Sequence, residues 1–267
     1  MGGIVLITKK DILNQLEDMS HVRGKVVIVH TSIKAIGEID GGANTLLSAL
    51  IEYFAYDSGL LLVPTHTWDS TVYDMTKAES CIGVLPKTAA AHPEALRTAH
   101  PTHSMAIFGE KKRAEEFAKG EDSVDSPTNP KGCYGKIYDE DGYVLLIGVG
   151  QDKNTYLHCV EEMLDVPKRL TEEKVERTVI MKNGEAVKKY IRWFDMNEIP
   201  DVSVNFGKFE EAFRYHNCIT YGKLGNAKTQ LCSARKMKDV LELIYKNAKG
   251  RELLADNAPL PLKLYKN

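Results

Sequence analysis

Residues 25–29, Lys-Val-Val-Ile-Val, form a short β-branched run that ends at His30-Thr31-Ser32. A strand with one wet face alternates apolar and polar residues, so an unbroken apolar run belongs to a strand covered on both faces, between layers of helices. A helical pattern follows near residues 44–54, and residues 60–63, Leu-Leu-Leu-Val, are a second such run stopped by Pro64. Strand, helix and strand in that length fit one βαβ crossover. The strand-to-helix order recurs where residues 105–108 precede a charged helix at 110–118, and where residues 143–149 precede a helix at 154–164.

The remaining elements attach to this frame. Thr8-Lys9-Lys10-Asp11 reads as a capping box before an amphipathic helix carrying Ile12, Leu13, Leu16 and Met19. Beyond Arg177, residues 179–181 and 187–194 flank Asn183-Gly184 and read as a β-hairpin, an antiparallel addition to the sheet. Residues 233–248 form a capped helix with Met237, Val240, Leu241 and Ile244 on one stripe, and Pro259 and Pro261 keep the tail extended. No repeat or linker interrupts the chain. The expectation is α/β: one integrated domain over 1–267, with a mixed central sheet, flanking helices and an antiparallel hairpin.

Composition removes several function classes. Thirty-five Lys plus Arg against 37 Asp plus Glu give a net charge of -2, which supplies no positive field for nucleic acid. The five cysteines are scattered without C-x-x-C spacing, against a disulfide framework or a zinc knuckle, and fit a reducing cytoplasm. The start turns charged at Lys9, too early for a secretory core; Leu6 breaks a myristoylation signal, and no run reaches membrane-spanning length. A cytoplasmic protein, monomer or homodimer, is expected.

Open α/β sheets place ligands at the C-terminal ends of their strands. Four polar segments fall there: residues 30–32, 64–69, 100–104 and 148–155. In the last, Gly148-Val149-Gly150 runs into an Asn154-Thr155 helix start that puts His158 one turn inside, with Glu161 and Glu162 at i+3 and i+4. An imidazole beside carboxylates at a helix mouth suits a general base, and equally a histidine hydrogen-bonded for structure. The glycine-bearing loop at 31–42, with Lys34, suits a pyrophosphate or pantetheine amide, or is an ordinary turn; it matches neither a Walker loop nor G-x-G-x-x-G. His30, His66, His100 and His103 raise a metal site, but H-x-x-H here sits in a Pro-containing loop without an H-E-x-x-H repeat. No serine lies in a G-x-S-x-G elbow, and Cys159 reads as a core residue.

Taken together, these segments resemble one family, the antibiotic N-acetyltransferases that include the aminoglycoside 3-N-acetyltransferases. That family carries His-Ser-Ser-Leu before a Gly-Gly helix start, a strand ending Pro-Thr, Arg-Ser-x-His-Pro-x-x-Ser, and Gly-x-x-x-x-Asn-Thr-x-x-His-x-x-Glu. This chain supplies His30-Thr31-Ser32-Ile33 with Gly41-Gly42, Pro64-Thr65, Arg97-Thr98-Ala99-His100-Pro101-Thr102-His103-Ser104, and Gly150 through Asn154-Thr155 and His158 to Glu161, in the same order. The resemblance implies the family's own α/β fold, acetyl-CoA as donor, and transfer to the 3-amino group of a 2-deoxystreptamine aminoglycoside, with no metal.

Carried over by position, His30, Thr31, Ser32, Ile33, Lys34, Ala35, Ile36 and Gly37, with Arg97, His100, Pro101 and Ser104, would line the CoA groove. His158 would be the base, with Glu161 in its motif and Asp195 on a later strand as the paired acid, Glu198 lying close by. Thr31 and Thr98 replace commoner serines, and the polar stretch 65–69 falls where an acceptor would sit. Thr65, Asp69, Asp74, Asp152, Thr155 and Glu162 are the candidate acceptor contacts. Thioester acyl transfer requires removal of an amine proton, for which His158 serves, and donors for the oxyanion, for which a backbone N–H near Ser32 or the Thr155 hydroxyl serve. Three other readings stand beside it: a CoA-dependent acyltransferase of another amine, a metal-dependent hydrolase built on His66, His100 and His103, and a non-catalytic CoA-binding protein.

Overall fold

A computed structural model describes residues 6–19, 22–68 and 70–266. Residues 1–5, which carry the targeting expectation, and Asp69 lie outside the described residues. The strands are β1 (Val26–Thr31), β2 (Leu60–Pro64), β3 (Val72–Asp74), β4 (Leu96–Arg97), β5 (Met105–Phe108), β6 (Tyr143–Ile147), β7 (Val175–Ile180), β8 (Ala186–Ile191), β9 (Ile219–Leu224) and β10 (Ala227–Ser233). The helices are α1 (Lys9–Met19), α2 (Ile33–Ile36), α3 (Gly42–Phe54), α4 (Val84–Ala90), α5 (Lys111–Ala118), α6 (Cys133–Asp139), α7 (Tyr156–Met163), α8 (Glu210–Tyr215) and α9 (Ala234–Ala248).

A seven-stranded sheet in the order β4-β5-β2-β1-β6-β10-β9 forms the middle layer. At its centre β1 is parallel to β2 and to β6, the βαβ arrangement expected from the apolar runs. Alternate residues feed two cores. Val27, Val29, Leu61, Val63, Leu145 and Ile147 pack with α1, α3 and α4, while Val26, Ile28, Leu60, Leu62, Val144 and Leu146 pack with α6, α7 and α9. Both faces are dry, so these strands carry no polar alternation; each buried branched side chain contributes about 1.5–3 kcal/mol.

Local signals hold at the ends of helices. Thr8 N–H donates to Asp11 Oδ2 (2.9 Å) and Asp11 N–H to Thr8 Oγ1 (3.2 Å), the reciprocal capping box ahead of α1. Ser233 caps α9 by accepting from Lys236 N–H.

Two expectations are corrected. Residues 105–108 do not continue the parallel order: β5 runs antiparallel to β2, because β4 and β5 form a hairpin whose loop, 98–104, turns back at the C-terminal end of β2. The hairpin around Asn183-Gly184 forms, but β7 and β8 join β3 in a separate three-stranded sheet. With Glu176, Arg177, Lys188 and Lys189 on them, they are too polar for a sheet buried on both faces, and their core is a small one of Tyr73, Met75, Ala99 and Val179. The antiparallel addition to the central sheet is instead β9–β10, turning at Gly225-Asn226 and paired to β6 through β10. No helix among the described residues is long and apolar enough to cross a membrane.

Candidate active site

The C-terminal ends of β1, β2 and β6 lie side by side, and β5, being antiparallel, starts at that same edge. The four polar segments therefore converge around one cavity of about 540 Å³. Its walls include Val29, Pro64, Ile82, Leu85, Pro86 and Val149, closed over by Trp68, Trp193 and Phe194, with His30, His66, His103 and His158 among them. Gly148 makes the turn out of β6 possible. Its φ is +66°, and a Cβ there would run into that of Ala35 on α2 and lie 3.2 Å from that of Ala227.

His158 is buried on the first turns of α7, stacked on Phe194 (centroids 4.1 Å apart, 25° between planes) and edge-on to Phe206 at 4.8 Å. Its Nδ1 lies 3.7 Å from Glu161 Oε2. Glu161 is fully buried, and its Oε1 accepts from Arg169 Nε (2.6 Å) and from the Tyr245 hydroxyl (2.8 Å). Arg169 in turn donates from both terminal nitrogens to Glu252, each at 2.9 Å. Burial works against the Arg169 charge, but Glu252 and Glu161 more than offset it and raise its pKa. One carboxylate oxygen is thereby locked by a fork-shaped cation and a phenol, and the other is left facing the imidazole.

Burial holds four further imidazoles at and behind this wall in the neutral form. Burial lowers the pKa of His30 to about 4 and that of His100 to about 3; His66 and His103 also fall well below 6.5, first by burial and then through neighbouring histidines. His100 Nδ1 accepts from the Thr102 and His103 N–H groups, so its proton is on Nε2, 3.0 Å from the Ser126 carbonyl. At the strand ends, His30 Nε2, Thr31 Oγ1 and His66 Nδ1 are buried without a protein partner. Among the described residues no group of three or more His, Cys, Asp or Glu is placed to hold a metal ion.

The sequence model described as aminoglycoside 3-N-acetyltransferase matches residues 28–245, most of the chain. The chain belongs to the aminoglycoside 3-N-acetyltransferase family. Its relatives include aminoglycoside N(3)-acetyltransferase IX of Micromonospora chalcea, 30% identical over 216 residues covering 72% of this chain and 74% of that one. A prophage-derived aminoglycoside N(3')-acetyltransferase-like protein of Bacillus subtilis is 24% identical over 276 residues, covering 92% and 95%. Among solved structures, AAC-IIIb in binary complex with CoASH superposes with a TM-score of 0.76 at 20% identity, over 92% of this chain and 98% of that one. Aminoglycoside acetyltransferase AAC(3)-Xa gives 0.75 at 24%, over 87% and 90%. The fold is that of these acetyltransferases.

In this family member the sequence candidates separate into groups. His30, Thr31, Asp152, Thr155 and His158 line the cavity, Asp152 pairing with Lys153 at 3.0 Å. Ser32, Ile33, Lys34, Ala35, Ile36 and Gly37 form α2 and its flanks: Ser32 N–H donates to Ile147 O, Ile36 is fully buried, Lys34 is exposed, and a Cβ on Gly37 would meet Asn226. Arg97, His100, Pro101 and Ser104 are buried behind the wall: Arg97 donates to Ser104 Oγ and Ala78 O, and the Pro101 carbonyl accepts from Thr67. Of that segment His103 is the residue at the cavity.

Thr65 is spent on Ser104, Asp74 on its own turn with Thr76, and Glu162 on Ser126 and Thr128 (2.6 Å each). Asp195 Oδ1 accepts from Asn197 N–H at 2.9 Å, while its neighbour Phe194 stacks on the imidazole and Glu161 is the carboxylate 3.7 Å from His158 Nδ1. Sequence reasoning did not single out Arg169, Tyr245, Glu252, Trp193 or Phe194. The one available signal was Tyr245, an aromatic with a polar tip beside the apolar stripe of α9.

Proposed function

We propose that the protein is an acetyl-CoA-dependent N-acetyltransferase that acetylates the 3-amino group of 2-deoxystreptamine aminoglycosides, with His158 taking the amine proton. The observation that carries this reading is the imidazole of His158 set in the cavity wall with Nδ1 against a locked carboxylate, a placement that leaves Nε2 to act as the base. An acyl thioester supplies an activated carbonyl that needs neither a metal nor an enzyme nucleophile. The residues fit such a donor: apolar walls for its arm, and His30 Nε2 and Thr31 Oγ1 as buried polar atoms free to meet its polar groups. Glu161 fixes the ring orientation and balances the positive charge His158 acquires when it holds the proton. AAC-IIIb, which shares the fold, is described with CoASH bound.

A second acceptor class has its own support. Aside from Asp152, paired with Lys153, the carboxylate lining the cavity among the described residues is Asp201, which caps Ser203, so the pocket is more aromatic than anionic. A less cationic amine fits those walls. Free-thiol release with acetyl-CoA and a panel of aminoglycosides and simple amines separates the two, and NMR of the product fixes the acetylated nitrogen. A folded His158→Ala variant is expected to lose thiol release by about 10²–10⁴-fold; near-normal release removes His158 as the base.

A further inference from the structure

His66 follows β2 by two residues, is 2% exposed, and stands in the cavity wall with its ring centroid 4.3 Å from that of His103. Its Nε2 lies 3.1 Å from the hydroxyl of Tyr134, a fully packed residue of α6. The other ring nitrogen, Nδ1, is buried without any protein partner. Buried polar atoms are nearly always hydrogen-bonded, so an orphaned nitrogen in a ligand-sized cavity marks a place where the ligand completes the bond.

Which species faces the ligand follows from the phenol. Burial raises the Tyr134 pKa well above 10, reinforced by Glu121, Cys159 and Cys133, while a hydrogen bond from Thr155 opposes the shift without reversing it. Tyr134 is therefore a neutral O–H. The phenol is fully buried and His66 Nε2 is the acceptor 3.1 Å from its oxygen, so the phenol's hydrogen is directed there. That nitrogen accepts only when the ring hydrogen resides on Nδ1. His66 is itself neutral, its pKa depressed first by burial and then by His30, His100 and His158. A neutral imidazole donates one hydrogen bond without competing for the proton that His158 handles.

We propose that His66 presents Nδ1–H to the acyl carbonyl oxygen of the donor and stabilises the negative charge that forms there, with Tyr134 fixing the tautomer. This rests on the acetyl-transfer reading. The amine lone pair forms the C–N bond while the carbonyl π pair moves onto oxygen, where Nδ1–H meets it. That pair returns to re-form C=O as the C–S bond breaks and sulfur leaves as thiolate. The proton lost by nitrogen goes to His158 and from there to the thiolate. Ser32 N–H is committed to the Ile147 carbonyl and Arg97 to Ser104 and Ala78, whereas His66 Nδ1, on a cavity-lining residue, has no protein partner.

Two measurements test it. Imidazole ¹⁵N shifts of the ligand-free protein are expected to show His66 as the neutral Nδ1–H tautomer, and Tyr134→Phe is expected to shift it toward Nε2–H. An Nε2–H ring in the unmodified protein overturns the proposal. In acetyl-CoA-dependent thiol release, His66→Ala is expected to lower kcat by about 10²–10³-fold with KM for acetyl-CoA changed by less than about threefold. His66→Asn, whose amide N–H reaches the Nδ1 position, is expected to retain about tenfold more activity than His66→Gln. A folded His66→Ala variant with kcat within about twofold of the parent also overturns it. If the unmodified protein releases no thiol with any amine, the transferase reading fails instead, and the tautomer measurement still judges the Tyr134–His66 relay.

Discussion

His158 Nδ1 and Glu161 Oε2 face each other at 3.7 Å across one turn of α7. Spacing of three on a helix brings two side chains to one face, but alone it leaves the carboxylate free to rotate. Here it cannot, because Arg169 and Tyr245 hold the other oxygen, and Phe194 covers the imidazole. The pair is thus tied to three other parts of the chain: the segment after α7, the last turn of α9, and the exit of β8.

Replacing Glu161 separates its electrostatic part from its structural part. Glu161→Gln keeps the size and one oxygen for Arg169 but removes the charge behind His158; kcat is expected to fall about 10–10²-fold with little change in KM. Glu161→Ala also strips the buried Arg169 of its inner partner, and urea denaturation is expected to show a loss of about 3–5 kcal/mol. Full activity in Glu161→Gln takes the carboxylate out of the reaction.

The buried imidazoles predict an acid limb of stability. His30 and His100 have folded pKa values lowered to about 4 and about 3, whereas in the unfolded chain each protonates near 6.5. Above 6.5 both states are neutral and the stability is complete. As pH falls below that, the unfolded chain takes up protons the folded chain refuses, and each imidazole removes about 1.4 kcal/mol per pH unit until its folded value is reached. Urea midpoints are expected to drop from pH 6.5 downward, already above the range of carboxylate titration, and His100→Gln is expected to flatten the slope. A flat profile between 6.5 and 5 contradicts the burial argument.

How much of this was legible in sequence depends on distance along the chain. The unalternating runs at β1, β2 and β6 announced strands dry on both faces, and the Thr8–Asp11 box announced α1, because each signal is local. The place of His158 in the cavity wall was legible for the same reason, since it sits in the first turn of the helix that follows a strand end and its Gly-Val-Gly turn. Arg169 and Tyr245 were not: they reach Glu161 across 8 and 84 residues, with no periodicity linking them to it. The direction of β5 was hidden because a four-residue apolar run reads the same parallel or antiparallel. His66 and His103 were visible as members of two motif segments and as possible metal ligands, but not as neutral cavity imidazoles, since their neutrality is a product of packing. β9 carries a glycine and alternating polar residues, which mask its place beside β10.

Gly148 is the narrow point of the strand-to-helix turn that delivers α7. Gly148→Ala adds a methyl group against Ala35 and Ala227 at a φ of +66°. The cost is expected to be about 2–4 kcal/mol from overpacking and the left-handed backbone together. Because α2 and the turn that leads from β6 to α7 must move apart to accept it, thiol release is expected to fall further than stability alone explains. A thermal melt and an activity assay on the same sample decide it; unchanged melting means the turn has slack.

The last prediction concerns two neighbours, of which sequence reading chose Asp195 as the acid and passed over Phe194. Asp195 closes a turn onto Asn197 N–H, whereas Phe194 lies flat on His158. Asp195→Asn preserves an oxygen for that turn and is expected to leave kcat and KM within about twofold, since a surface turn contributes within about 0.5 kcal/mol. Phe194→Ala uncovers the imidazole, admits water to the Glu161 carboxylate and lets the ring tilt; kcat is expected to fall about tenfold or more, with the pH dependence of kcat/KM altered. If Asp195→Asn were instead the crippled variant and Phe194→Ala the active one, the acid that orients His158 would lie on the strand exit and not on α7, and the locked Glu161 would be a structural ion pair.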